Sequence, residues 1–89
     1  MALAKTLIKV SDNFIIENRT LDATEVANKE LILDFTPDIA EKTRLIFPNG
    51  TQQRYNIDYV VIGNKLNWNG YSIETLVDIG DNLIIEYFI

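Results

Sequence analysis

Residues 57–69 read Ile57-Asp58-Tyr59-Val60-Val61-Ile62-Gly63-Asn64-Lys65-Leu66-Asn67-Trp68-Asn69, and this stretch decides the fold class. Its first six residues are rich in β-branched and aromatic side chains, which fit a pleated, half-buried surface. Gly63-Asn64 has the composition of a two-residue hairpin turn, and the five residues after it alternate apolar with polar. The spacing predicts a hairpin with Leu66 and Trp68 on one face. An indole supplies a large part of a small core, so Trp68 is predicted at its centre, with a ring N–H in need of an acceptor.

Outward from this hairpin the same period-two pattern recurs in short runs. Glu30 to Thr36 (ELILDFT) places Leu31, Leu33 and Phe35 on one face of a predicted strand that Pro37 closes. Thr43 to Phe47 (TRLIF) repeats the pattern, and Pro48-Asn49-Gly50-Thr51 is a turn signal across which TRLIF is predicted to pair with Thr51 to Tyr55 (TQQRY). Ser72 to Val77 predicts one helical turn capped by Ser72, and Thr24 to Asn28 a second capped turn. The segment Asn82 to Ile89 is the most apolar: Leu83, Ile85, Tyr87 and Ile89 share one face, while Ile84 and Phe88 flank Glu86 on the other, so both faces want cover. Thr6 to Val10 and Phe14 to Asn18 complete the predicted strands. Short strands at intervals of about ten residues, without long helices, mark an all-β sandwich or barrel.

Composition narrows the chemistry. The 89 residues are 47% hydrophobic and 24% charged, which places the chain in the globular class. A domain this short buries only about 60–65% of its unfolded surface, so a lone copy is marginal. Cysteine and histidine are both absent, which excludes disulfides, thiol nucleophiles, zinc fingers and imidazole acid–base chemistry. A net charge of −5 is opposite in sign to the footprint of a nucleic-acid binder. No run approaches the 18–20 or so apolar residues of a membrane-spanning helix, and the N-terminus lacks the apolar core of a signal peptide, so the expectation is a soluble, unprocessed chain.

Carboxylates are the abundant functional groups, densest at Glu74, Asp78, Asp81 and Glu86. They lack the spacing of a calcium loop and read as turn and surface residues. Ser11 and Ser72 have no histidine or cysteine partner and no G-x-S-x-G elbow, and the glycines form no phosphate-binding loop. No catalytic, cofactor-binding or metal-ligating residue is therefore predicted, and no cofactor. Tyr55, Tyr59, Trp68, Tyr71 and Tyr87 are the candidates for a sugar-stacking surface, with Tyr55, Tyr71 or Trp68 as its platforms, although aromatics at alternating strand positions belong more often to cores and interfaces. A short chain with a strongly apolar strand and no covalent staple completes its burial against other subunits, which points to assembly.

Read in order, TEVANK (24–29), the apolar strand ending in Pro37, the hairpin IDYVV-GN-L-W-G and the closing L-D-GD-L-I-EY resemble a module of tailed-bacteriophage structural proteins over residues 24 to 88. The resemblance implies an all-β fold built as a single antiparallel, immunoglobulin-like β-sandwich with one or two short helical turns. The division expected is residues 1–23 as an N-terminal segment, which either packs on the body or reaches out as an intersubunit arm, and residues 24–89 as the sandwich domain. The module is similar to small decoration or cement proteins of capsids. This implies a non-enzymatic virion component that binds the major capsid protein or other virion structural proteins, with homo-oligomers in the assembly and no nucleic-acid or membrane partner. A neck or tail subunit is the alternative, and a carbohydrate-binding module on the virion a further one. The interface residues expected are Leu3, Leu7, Ile8 and Val10 from the N-terminal segment and Ile84, Phe88 and Ile89 from the apolar strand.

Overall fold

The computed structural model describes residues 5–9, as backbone, and residues 13–89. Among the described residues seven strands follow one another: β1 (Lys5–Lys9), β2 (Phe14–Thr20), β3 (Glu30–Ile32), β4 (Arg44–Ile46), β5 (Val60–Ile62), β6 (Lys65–Asn67) and β7 (Asn82–Phe88). One helix, α1 (Ala23–Asn28), lies between β2 and β3, and single 3-10 turns span Ala40–Lys42 and Ser72–Thr75. The strands form two antiparallel sheets, a four-stranded one in the order β1-β2-β7-β4 and a three-stranded one in the order β3-β6-β5. The chain is thus mostly β, as the alternation predicts.

The hairpin that anchors the sequence reading forms, with Val60 to Ile62 paired to Lys65 to Asn67 across Gly63-Asn64. Gly63 takes φ +61, the positive value that the first central residue of a type II′ turn requires and glycine reaches without strain. Residues 56–58 are a turn rather than the start of β5, because the Asp58 carboxylate accepts the Arg54 N–H and Asn56 stands at φ 66. The strand predicted over residues 30–36 stops after Ile32: Leu33 still donates to the Asn64 carbonyl, but the amides of Asp34 and Phe35 are taken by side chains of the other sheet. Leu31 and Leu33 are buried as expected, whereas Phe35 is 40% exposed. TQQRY is not a strand. It meets β4 through one bridge, Ile46 with Gln52, and the Phe47 N–H to Thr51 O and Gln53 N–H to Leu45 O bonds.

Both helical turns form, the first capped as expected and the second without the cap expected of Ser72. Asp22 caps α1: its carboxylate accepts the Glu25 N–H at 2.7 Å while the Glu25 side chain accepts the Asp22 N–H at 3.0 Å, a capping box that starts two residues before Thr24. Ser72 caps nothing, since its hydroxyl donates to Asp58 instead.

One core draws on both sheets. Ile15, Leu45, Leu83, Ile85 and Tyr87 come from the four-stranded sheet, Leu31, Val61 and Leu66 from the three-stranded one, and Leu21, Leu33, Tyr59, Trp68, Ile73 and Val77 from the segments around them. Each fully buried aliphatic side chain contributes about 1.5–3 kcal/mol relative to exposure. Trp68 is 0% exposed, the central position predicted for it, yet its Nε1 has no hydrogen-bond partner.

Candidate functional site

β2 and β7 run side by side over seven residue pairs, from Phe14 opposite Phe88 to Thr20 opposite Asn82. Alternation sends Ile15 and Glu17 of β2, and Leu83, Ile85 and Tyr87 of β7, into the core. The intervening positions make the sheet's second face: Phe14 and Ile16 on β2, Ile84, Glu86 and Phe88 on β7, Arg44 and Ile46 on β4. Four of these seven are aliphatic or aromatic and only half-buried, and Phe88 is 50% exposed. The rings of Phe14 and Phe88 lie 4.8 Å apart at 40°, a tilted pair worth about 0.5–1.5 kcal/mol beyond the area it buries. Arg44 and Glu86 form a surface ion pair at 3.5 Å beside them.

At the Phe88 end this face runs into a cavity of about 130 Å³ lined by Asp38, Ile39, Lys42 and Phe88. Two backbone bonds fix that end, Asp38 N–H to Phe88 O at 2.7 Å and Ile89 N–H to Asn13 O at 2.8 Å. Small-molecule pockets measure about 300–1,000 Å³, so this hollow is the size for a single partner side chain. The arrangement can remove an apolar anchor from water on Ile39 and Phe88, with Asp38 and Lys42 at the rim.

Behind the face lies a polar cluster that tethers the sheets. Glu17 is 0% exposed, and its carboxylate accepts from Arg19 Nη1 at 2.8 Å, from the Asp34 N–H at 3.0 Å and from the Tyr87 hydroxyl. Arg19 also donates to the Ile32 carbonyl at 2.8 Å and stands 3.5 Å from Glu25, and Tyr87 accepts the Phe35 N–H at 3.2 Å. Burial, and then the hydrogen bond to the Glu17 carboxylate, push the Tyr87 phenol well above its ordinary 10.0. A second buried carboxylate, Asp58, binds the Ser72 hydroxyl, the Arg54 N–H and, at 3.7 Å, the Arg54 guanidinium. Burial alone would raise its pKa, but those donors together outweigh it and hold the group below 3.8.

The sequence-predicted interface residues divide as follows. Ile84 and Phe88 stand on one face of β7, two positions either side of Glu86, and Ile89 lies just past the strand, 38% exposed. The β1 register sets Ile8 opposite Ile16 and Leu7 opposite Glu17. Leu3 and Val10 lie outside the described residues. β2, assigned by sequence to the N-terminal segment 1–23, is hydrogen-bonded into the sheet beside β7. Sequence reasoning missed Phe14, Ile16, Ile39 and Ile46. Apolar residues on both faces of FIIENRT (14–20) are the same signal as in β7 and could have found the first two.

The acidic residues near the chain's end do not gather. Glu74 binds the Lys29 ammonium at 2.7 Å and the Gly70 N–H at 2.5 Å, Asp78 and Asp81 close their own turn, and Glu86 meets Arg44. Among the described residues no group of three or more acidic side chains is placed to hold a metal ion. Trp68 is inaccessible to a sugar, and the Tyr55 hydroxyl is engaged with Val61. No family model, curated protein or solved structure matches the chain.

Proposed function

We propose that the chain is a non-enzymatic structural subunit of a tailed-bacteriophage virion, a decoration or auxiliary protein that joins and stabilises neighbouring capsid subunits. The observation that carries this reading is the outer face of the four-stranded sheet, where Phe14, Ile16, Ile46, Ile84 and Phe88 lie beside a hollow sized for one anchoring side chain. Apolar faces of this kind mark protein–protein contact surfaces. The sequence resemblance supplies the partner class, the major capsid protein or another virion protein, with homo-oligomers in the assembly. Net charge −5 favours an outer position over the DNA-filled interior.

The scaffold in this reading is a β-sandwich, supported by one core that draws side chains from both sheets. It is immunoglobulin-like only in the sense of two antiparallel sheets over one core. Immunoglobulin order sets the final strand at an edge, whereas here β7 lies between β2 and β4.

The test is to measure the mass of the purified protein and its binding to empty capsids, for the wild type and for Phe88→Ser. A monomer or trimer that saturates capsids and raises their melting temperature, with Phe88→Ser folded but unable to bind, is the expected result. A ring-sized oligomer without affinity for capsids would move the protein to the neck or tail, and a Phe88→Ser variant that bound normally would sink the assignment of the face.

A further inference from the structure

In the three-stranded sheet Leu31, Leu66 and Val61 point into the core, so period two sends the residues on either side of them outward. The outer face of this sheet therefore carries two rows across the strands, Glu30, Asn67 and Val60 in one and Ile32, Lys65 and Ile62 in the other. The second row is open. Ile62 is 68% and Ile32 45% exposed, and the exposed Lys65 stands between them. Single surface isoleucines are ordinary, but two held in register on either side of one lysine form a patch.

The charges on this face are not answered as the others are. Arg19, Lys29, Arg44 and Arg54 each pair with a carboxylate. Among the described residues Lys65 and Glu30 form no ion pair, although they are diagonal neighbours in the sheet, a spacing of about 7–8 Å. One cation and one anion leave the face neutral in a chain of net charge −5, so here two copies can meet without like-charge repulsion.

We propose that this face pairs with the same face of a second copy of the chain, about a two-fold axis. In such a contact every meeting of two different residues occurs twice. An axis lying in the plane of contact, midway between Glu30 and Lys65, sets Glu30 of each copy against Lys65 of the other. Ile32 neighbours Lys65 across the strands and Glu30 along β3, so it falls close to that axis and meets its own counterpart. Charge selects this occupant. An acidic partner satisfies Lys65 and leaves Glu30 facing a like charge, a basic one does the reverse, and a second copy answers both. The inference rests on the assembly reading only for what the pairing serves, and it leaves the outer face of the four-stranded sheet to the other protein. The face is small, so pairing is expected only from about 0.1 mM upward, where copies crowd together, and the dilute protein is a monomer.

Sedimentation equilibrium of the full chain at low salt, from about 10 μM to about 1 mM, tests the contact. The expected result is a monomer–dimer equilibrium. Glu30→Lys alone and Lys65→Glu alone should each weaken pairing about tenfold or more, because each puts two like-charge contacts into the dimer. An equimolar mixture of the two variants should recover wild-type pairing, because the mixed pair sets opposite charges together at both contacts. Circular dichroism should show each variant folded, since both positions lie on the sheet's outer face. A wild type that stays monomeric throughout, a mass that rises past two copies, single variants that pair like the wild type, or a mixture that pairs no more tightly than its components would each overturn the proposal. No capsid enters this measurement, so a chain that binds capsids without pairing, or pairs without binding them, separates this inference from the capsid reading.

Discussion

Replacing Glu17 by glutamine changes one oxygen for one nitrogen at the junction of the two sheets. Among the described residues the carboxylate has three donors around it: Arg19, the Asp34 N–H and the Tyr87 hydroxyl. An amide oxygen can keep the last two, but its NH₂ then faces the guanidinium, donor against donor. Breaking a buried ion pair from one side costs about 3–5 kcal/mol. Arg19 keeps the Ile32 carbonyl and Glu25, so the lower end applies, and Glu17→Gln should cost about 3 kcal/mol. For 89 residues the whole stability is roughly 4–13 kcal/mol, so the loss is a large fraction. Urea unfolding followed by circular dichroism measures it. The midpoint should fall with little change in slope, and the melting temperature should drop by roughly 12–24 °C. A cycle with Arg19→Gln should show at least about 1 kcal/mol of coupling. A loss for Glu17→Gln below about 1 kcal/mol would refute the tether.

The acid limb of stability should carry Asp58. Its folded pKa is depressed, so its contribution is complete above the ordinary 3.8 and disappears as pH falls through the lower folded value. Asp58→Asn should flatten stability against pH in that range. On the alkaline side burial first, and then Tyr55, raise Tyr59 to about 12, so its contribution is complete below 10.0 and fades as pH rises through about 12, which tyrosinate absorbance would follow. Trp68→Phe should cost only about 1–2 kcal/mol, against about 3–5 for Trp68→Ala, because the indole N–H has no bond to lose. Wild-type Trp68 fluorescence should be blue-shifted and indifferent to added glycans. Asp22→Ala should cost about 1 kcal/mol in urea unfolding, through the capping box alone.

What sequence could reveal here depended on how local the deciding interaction is. The β5–β6 hairpin was legible because a two-residue turn and its flanking alternation lie within eight residues. Trp68 and the buried face of β7 were legible because their positions follow from period two alone. The early end of β3 was not, since the groups that withdraw the Asp34 and Phe35 amides, Glu17 and Tyr87, lie 17 and 52 residues away. A lone glutamate in FIIENRT carries no local sign of burial. Ser72 looked like a cap by its neighbours and became a ligand of Asp58, 14 residues earlier. At the candidate surface Ile84 and Phe88 were visible in one strand, but their joining with Phe14, Ile39 and Ile46 required the pairing of β2, β7 and β4.

The place of β7 between β2 and β4 also governs how the protein must fold. Phe14 pairs with Phe88 across 74 positions, so the central ladder forms only by closing a long loop, whose entropy is lost before the contact gains anything. Until β7 arrives, β2 and β4 share no partner, and each shows an unpaired edge with apolar residues, Phe14, Ile15 and Ile16 on one and Leu45 and Ile46 on the other. Folding is thus expected to be slow for so small a domain, and the hazardous species is the chain with β7 still undocked, when crowded copies can supply one another with the missing strand.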